Sequence, residues 1–119
     1  MADRTVMVVE DDALSREMVS TLLACEGYDA VGAANGAEAL RTLWRDGVQP
    51  AVILLDLAMP VMDGRQFRAA QLADPALAEI PVVIISATDA AEVPADARVP
   101  KPIDIDRLLA TVSRLTART

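Results

Sequence analysis

The sequence predicts an α/β fold in which a doubly wound, mainly parallel sheet of five strands carries helices on both faces. Three observations lead there. Short, continuous and mostly β-branched runs, Val6 to Val9, Ala51 to Leu55 and Val82 to Ile85, read as strands covered on both sides. Segments of helical period alternate with them. The order βαβαβαβ, a short crossover and a final βα implies parallel strands joined by right-handed crossovers.

Each element has its own signature. Leu14, Met18 and Leu22 mark the inward stripe of a first helix that ends at Glu26-Gly27. Asp29 to Ala33 reads as a weaker second strand. Asn35 caps a second helix with Leu40 and Leu43 inward and Trp44 at its edge, and Asp63-Gly64 opens a third that buries Phe67 and Ala70. A short last strand lies at Arg98 and Val99, and Asp104 or Asp106 caps a final helix with Leu108, Leu109, Val112 and Leu115. Between the fourth and last strands lie only residues 86 to 96, with Asp89, Pro94 and Asp96 among them. A crossover with its helix takes about 10 to 12 residues or more, of which each flanking loop uses roughly 2 to 6, so at most a turn or two of helix fits, and Pro94 opposes a continuous helix. The fourth helix is therefore expected to be missing or reduced to about a turn.

Composition bounds the function. The 119 residues suit a single domain over 1–119, and 53% apolar content with 24% charged residues excludes a disordered chain. No apolar run approaches the roughly 20 residues of a membrane span, and no cationic segment feeds an apolar one near the start, so the expectation is a cytoplasmic protein without membrane contact. The net charge of -7 has the wrong sign for direct nucleic-acid binding. Cys25 is the only cysteine and there is no histidine, which removes disulfides, thiolate zinc clusters, serine-histidine hydrolysis and histidine phosphocarriers. Lys101 is the sole lysine in a chain that otherwise uses arginine.

In a parallel sheet, ligands bind beyond the carboxyl ends of the strands. Glu10, Asp11 and Asp12 follow the first strand, Asp56 ends the third, Ser86 follows the fourth and Lys101 follows the fifth. Crowded carboxylates repel one another unless a cation neutralises them, and an all-oxygen donor set favours Mg²⁺. A carboxylate can itself attack phosphorus, and Asp56 is the best placed to do so. Mg²⁺, Lys101 and the Ser86 hydroxyl would supply the charge neutralisation that phosphoryl transfer needs.

These residues resemble a family. Val8-Val9-Glu10-Asp11-Asp12, the run Leu54-Leu55-Asp56-Leu57-Ala58-Met59-Pro60-Val61-Met62-Asp63-Gly64, then Ile84-Ile85-Ser86-Ala87 and Lys101-Pro102 follow the ordered motifs and spacing of response regulator receiver domains, chemotaxis-regulator-like proteins of two-component signalling. The resemblance covers essentially the whole chain and implies a flavodoxin-like sheet. It implies that Asp56 accepts a phosphoryl group from a phosphohistidine on a sensor histidine kinase or a histidine phosphotransfer protein. It further implies that Asp11 or Asp12 joins Asp56 and the Ala58 backbone carbonyl around Mg²⁺, with Glu10 and the other acid acting through waters. Ser86 would bond the phosphoryl oxygen and Lys101 would pair with it. The readout would be altered binding of a downstream protein target, with a homodimer as one possible form. No turnover enzyme is implied.

Two positions depart from the family pattern. Arg98 stands where the family's aromatic switch residue is usual, and the shortened crossover removes the helix that normally forms part of the target-binding surface. Residues 87 to 97 are accordingly expected to form a mobile loop ordered by phosphorylation or a partner, with the first or last helix supplying contact surface. The competing reading is a receiver-like protein-binding module indifferent to phosphorylation. A phosphatase would want a second aspartate where Ala58 stands, and a nucleotide-binding domain a glycine-rich loop after the first strand. Cys25 reads as a packed small hydrophobe, and Arg65 and Arg68 as a solvated helix face that flanks the site and steers an acidic partner.

Overall fold

The five strands take the predicted positions to within one or two residues. β1 (Thr5–Val9), β2 (Asp29–Ala33), β3 (Val52–Asp56), β4 (Val82–Ser86) and β5 (Ala97–Pro100) form one parallel sheet in the order β2-β1-β3-β4-β5. The computed structural model describes residues 4–88 and 90–117; Asp89 lies outside the described residues. Among the described residues four helices accompany the strands, α1 (Ala13–Cys25), α2 (Gly36–Arg45), α3 (Gly64–Ala73) and α4 (Ile105–Thr116). The strand order reverses beside β1, with β2 on one side and β3 on the other, so a crevice opens at the carboxyl ends of β1 and β3.

Alternation along each strand divides the core into two layers. Met7, Val9, Ile53, Leu55, Val82 and Ile84 pack with Leu40, Leu43 and Phe67 of α2 and α3. Val6, Val8, Leu54, Val83, Ile85 and Val99 pack on the opposite face with Val19 and Leu23 of α1 and Leu108, Val112 and Leu115 of α4. All five residues of β3 are buried, which makes it the central rail of the sheet and fixes Asp56 at its end.

Capping sets the helix starts. Asn35, Asp63 and Asp104 each accept a bond from the backbone N–H three residues on, and Gln66 Oε1 accepts from the Asp63 amide to close a capping box. The stripe of α1 differs from the expected one: Leu14 is 77% exposed and Met18 48%, while Val19 and Leu23 face inward. Two apolar series four residues apart coexist on this helix, and docking on β1 and β2 selects the one that follows Ser15. Cys25 is exposed at the end of α1 and does not pack as a small hydrophobe. Trp44 is also exposed, with its Nε1–H donating to Asp74 Oδ2 at 2.7 Å.

No helix stands among the described residues between β4 and β5; Ala91 and Glu92 make only a turn. Ala90 and Val93 are buried there and, with Ala95, fill the core layer that a crossover helix would otherwise cover. The segment expected to be mobile is anchored by arginines. Arg98 donates to the carbonyls of Ala90 (3.1 Å) and Val93 (2.5 Å), Arg68 to that of Pro94 (2.8 Å), and Arg65 pairs with Glu92 at 2.7 Å. Arg68 is therefore buried rather than part of a solvated face, and its second bond goes to Gln71 Oε1 at 2.7 Å. Gln71 in turn donates to the carbonyls of Leu77 and Ile80, so one polar chain ties α3, the approach to β4 and the β4–β5 connection together.

Candidate functional site

The crevice at the strand ends collects most of the predicted residues. A cavity of about 460 Å³ is lined by Asp11, Asp56, Ala58, Met59, Ser86 and Lys101, and also by Arg65 and Thr88. Register explains the convergence. Val9 pairs with Leu55, Asp56 with Ile85 and Ser86 with Pro100, and the Lys101 amide continues the ladder by donating to the Ser86 carbonyl at 2.9 Å. Residues far apart in sequence thus end at one level. The Lys101-Pro102 peptide bond is cis.

Lys101 lies between two carboxylates. Its Nζ is 3.3 Å from Asp56 Oδ2 and 3.4 Å from Glu10 Oε2. Asp56 is 5% exposed and Glu10 9%, so both acids are held largely away from water. Burial pushes the Glu10 carboxyl above the ordinary carboxylate range; the Asp12 amide and Lys101 oppose the rise, and the Asp56 charge adds to it. Burial works against the charge on Lys101, yet the carboxylates of Asp56 and Glu10 outweigh it and hold the ammonium above the usual lysine value.

Glu10, Asp11 and Asp56 present carboxylate oxygens within 4.8 Å of one another. Three hard oxygen donors at that separation fit a divalent cation such as Mg²⁺. Asp12 takes another role. Its Oδ2 accepts from the Ser15 amide (3.0 Å) and the Ser15 hydroxyl (2.6 Å), capping α1, and it stays outside the converging trio. Those bonds hold its carboxyl below the ordinary range. The Ser86 hydroxyl accepts from the Thr88 amide at 3.1 Å and lies 3.2 Å from the Thr88 hydroxyl. Arg98 does not line this cavity; its guanidinium donates to the loop carbonyls described above.

The floor behind Asp56 is built by close backbone approach. Gly64 donates to the Leu57 carbonyl at 3.0 Å, and a Cβ on it would stand 2.4 Å from the Asp56 carbonyl oxygen, so only glycine fits. Before it, the Met62 amide donates to the Pro60 carbonyl at 2.8 Å across Val61, whose φ of 67° is rare for a β-branched residue. Val61 is left 81% exposed. Sequence reasoning did not place Thr88 in the site, and no motif signals it. The adjacency of Arg65 to Asp63-Gly64 was the one cue to its position on the rim.

Known proteins resemble this chain in sequence and in fold. The family model for the response regulator receiver domain matches residues 6–113. The response regulator MprA of Mycobacterium leprae is 31% identical over 96% of the chain, and the chain spans about half (51%) of that relative's length. Among solved structures, the receiver domain of a signal transduction histidine kinase from Syntrophus aciditrophicus superposes with a TM-score of 0.87 at 30% identity, covering 97% of this chain and 93% of that one. The chemotaxis protein CheY4 of Vibrio cholerae gives 0.85 at 30% identity, covering 96% and 99%. The receiver domain of sensor histidine kinase PA1611 from Pseudomonas aeruginosa, solved with a magnesium ion coordinated in its active site cleft, shares the fold at 0.88 and 21% identity, covering 98% and 100%. With its sheet order, its acidic crevice and these matches together, the chain belongs to the response regulator receiver domain family.

Proposed function

We propose that the chain is a phosphoacceptor switch whose acceptor is Asp56. The observation that carries this is the burial of one strand-end carboxylate within reach of a single ammonium and beside two further acids. Glu10, Asp11 and Asp56, with the Ala58 carbonyl, would hold Mg²⁺; Asp12, committed to its helix cap, would act at most through water. When bound, that ion supplies neutralisation of the carboxylates and of the incoming phosphoryl oxygens. The magnesium named for the Pseudomonas domain supports the assignment.

The residues of the chain divide the work. One Asp56 carboxylate oxygen forms a bond to phosphorus as the donor's bond to phosphorus breaks, and the leaving imidazole of a phosphohistidine departs with the electron pair. Lys101, already between Asp56 and Glu10, shifts its pairing to a phosphoryl oxygen. Ser86 gives up Thr88 and donates to another. Residues 1–119 contain no histidine, so the phosphohistidine lies outside them, on a sensor histidine kinase or histidine phosphotransfer protein. The exposed apolar side chains of Met18 and Ile105, on α1 and α4 beside the site, and of Leu14 at the start of α1 supply contact surface for such partners. The chain acts as a single receiver over 1–119 whose readout is binding of a downstream protein, and not as a turnover enzyme. Its proposed place is the cytoplasm; no helix among the described residues is long and apolar enough to cross a membrane.

Incubation with acetyl phosphate and Mg²⁺, followed by intact mass, tests the reading. A phosphate increment in the wild type that disappears in Asp56→Asn and on magnesium chelation is expected. An increment that survives Asp56→Asn contradicts it. Partner affinity unchanged by Asp56→Asn in a protein that does label would favour the phosphorylation-independent module.

A further inference from the structure

Arg65 lines the phosphoacceptor cavity, yet the roles assigned above leave it unused. Its Nε and Nη2 both donate to one oxygen, Oε1 of Glu92, at 3.0 and 2.7 Å. The two side chains are 50% and 61% exposed, and exposed pairs of this kind are worth about 0–1 kcal/mol. The pairing is cheap to exchange. Its root is fixed close to the acceptor, because the neighbouring Gly64 packs directly on the Asp56 carbonyl. Glu92, in contrast, belongs to the β4–β5 connection that replaces a helix. Arg68 and Arg98 grip that connection through backbone carbonyls. Arg65 alone, among the described residues, holds it through a charge that also faces the cavity.

We infer that Arg65 is a second phosphoryl-binding cation, passing from Glu92 to the phosphoryl group on Asp56 and thereby releasing the β4–β5 connection at Glu92. The inference rests on the reading of Asp56 as phosphoacceptor. Its chemistry is a competition between anions. A phosphoryl group brings a charge of roughly -1.5 to -2 and three acceptor oxygens, and a guanidinium fork matches two of them at once. Glu92 offers the same fork a single oxygen. Lys101, a compact ammonium held between Asp56 and Glu10, cannot make that paired contact.

The test follows labelling of the full chain by acetyl phosphate and Mg²⁺ in wild type, Arg65→Gln, Glu92→Gln and the double variant. In the reaction an Asp56 oxygen bonds to phosphorus while the bond from phosphorus to the acetate oxygen breaks, and acetate leaves with the electron pair. Arg65→Gln is expected to slow labelling by about tenfold, the loss of one charge-assisted contact. Glu92→Gln removes the competitor and should speed it by about threefold, within the worth of an exposed pair. The double variant should match Arg65→Gln alone. Hydrogen exchange at residues 91–93 should rise on labelling in the wild type and stand at the raised level beforehand in Glu92→Gln. Wild-type rates in both single variants, or a gain from Glu92→Gln that persists without Arg65, would overturn the inference. Failure of the wild type itself to label would overturn the Asp56 reading and this inference with it.

Discussion

Gly64→Ala is the most informative single perturbation of the scaffold. The added Cβ would lie 2.4 Å from the Asp56 carbonyl oxygen and 2.7 Å from both Leu57 Cα and Leu57 Cδ2. Two of these three atoms are backbone at the end of β3, which is buried throughout and cannot yield as a side-chain tip would. To restore even a 3.0 Å contact, the start of α3 and the acceptor must separate by more than half an ångström. Overpacking of this sort costs about 1–3 kcal/mol, and a misplacement approaching 1 Å at a reacting group slows chemistry by as much as ~100-fold. Gly47→Ala serves as the control. It meets nothing within 4 Å, so only its φ of +67° carries a penalty, about 1 kcal/mol. Urea unfolding should place Gly64→Ala below Gly47→Ala, and acetyl phosphate labelling should be slowed at least tenfold in the first and unchanged in the second. Equal stability in the two variants, or a Gly64→Ala protein that labels at the wild-type rate, would refute the argument that close backbone approach positions Asp56.

Three further outcomes follow from the site and its loop. Glu10 has a folded carboxyl raised above 4.5, so folding favours its protonated form and the contribution is lost as pH rises through the folded value; Glu10→Gln should raise the melting temperature at pH 7 without magnesium, with the gain fading below about pH 4.5. Lys101 is raised above 10.5, so its ion pairs stabilise at neutral pH and are lost only as pH rises through that higher value; the stability gap to Lys101→Met should persist from pH 7 to 10 and close above it, while Lys101→Arg leaves the response to phosphorylation impaired. Arg98→Ala removes the charged donor to the Ala90 and Val93 carbonyls and should cost roughly 2 kcal/mol, read by urea unfolding, with faster hydrogen exchange at residues 90–95; unchanged exchange there would show that the clamp is idle.

How far the sequence revealed this molecule depends on the range of the forces involved. Buried strands are written locally, as unbroken β-branched runs, and the strand ends then expose Asp56, Ser86 and Lys101 without any need for contacts to be known. The shortness of residues 86 to 96, together with Pro94, foretold that no full crossover helix would stand among the described residues there. The stripe of α1 was misphased because Leu14, Met18 and Leu22 form as regular a series as the inward pair Val19 and Leu23, and only docking on the sheet decides between them. Asp12 looked like a third acid of the site, but a carboxylate three residues before a serine amide at a helix start is claimed by capping first. The arginine anchors of the β4–β5 connection join residues up to 27 positions apart, and no local pattern marks which guanidinium meets which carbonyl.

The account turns on one carboxylate. Borohydride reduction of the acetyl phosphate-labelled chain, followed by peptide mapping, converts an acyl-phosphorylated aspartate to homoserine and so reports the acceptor by position. The account predicts homoserine at position 56 alone. Reduction at Glu10, Asp11 or Asp12, or none at all in a chain loaded with magnesium and donor, would contradict it.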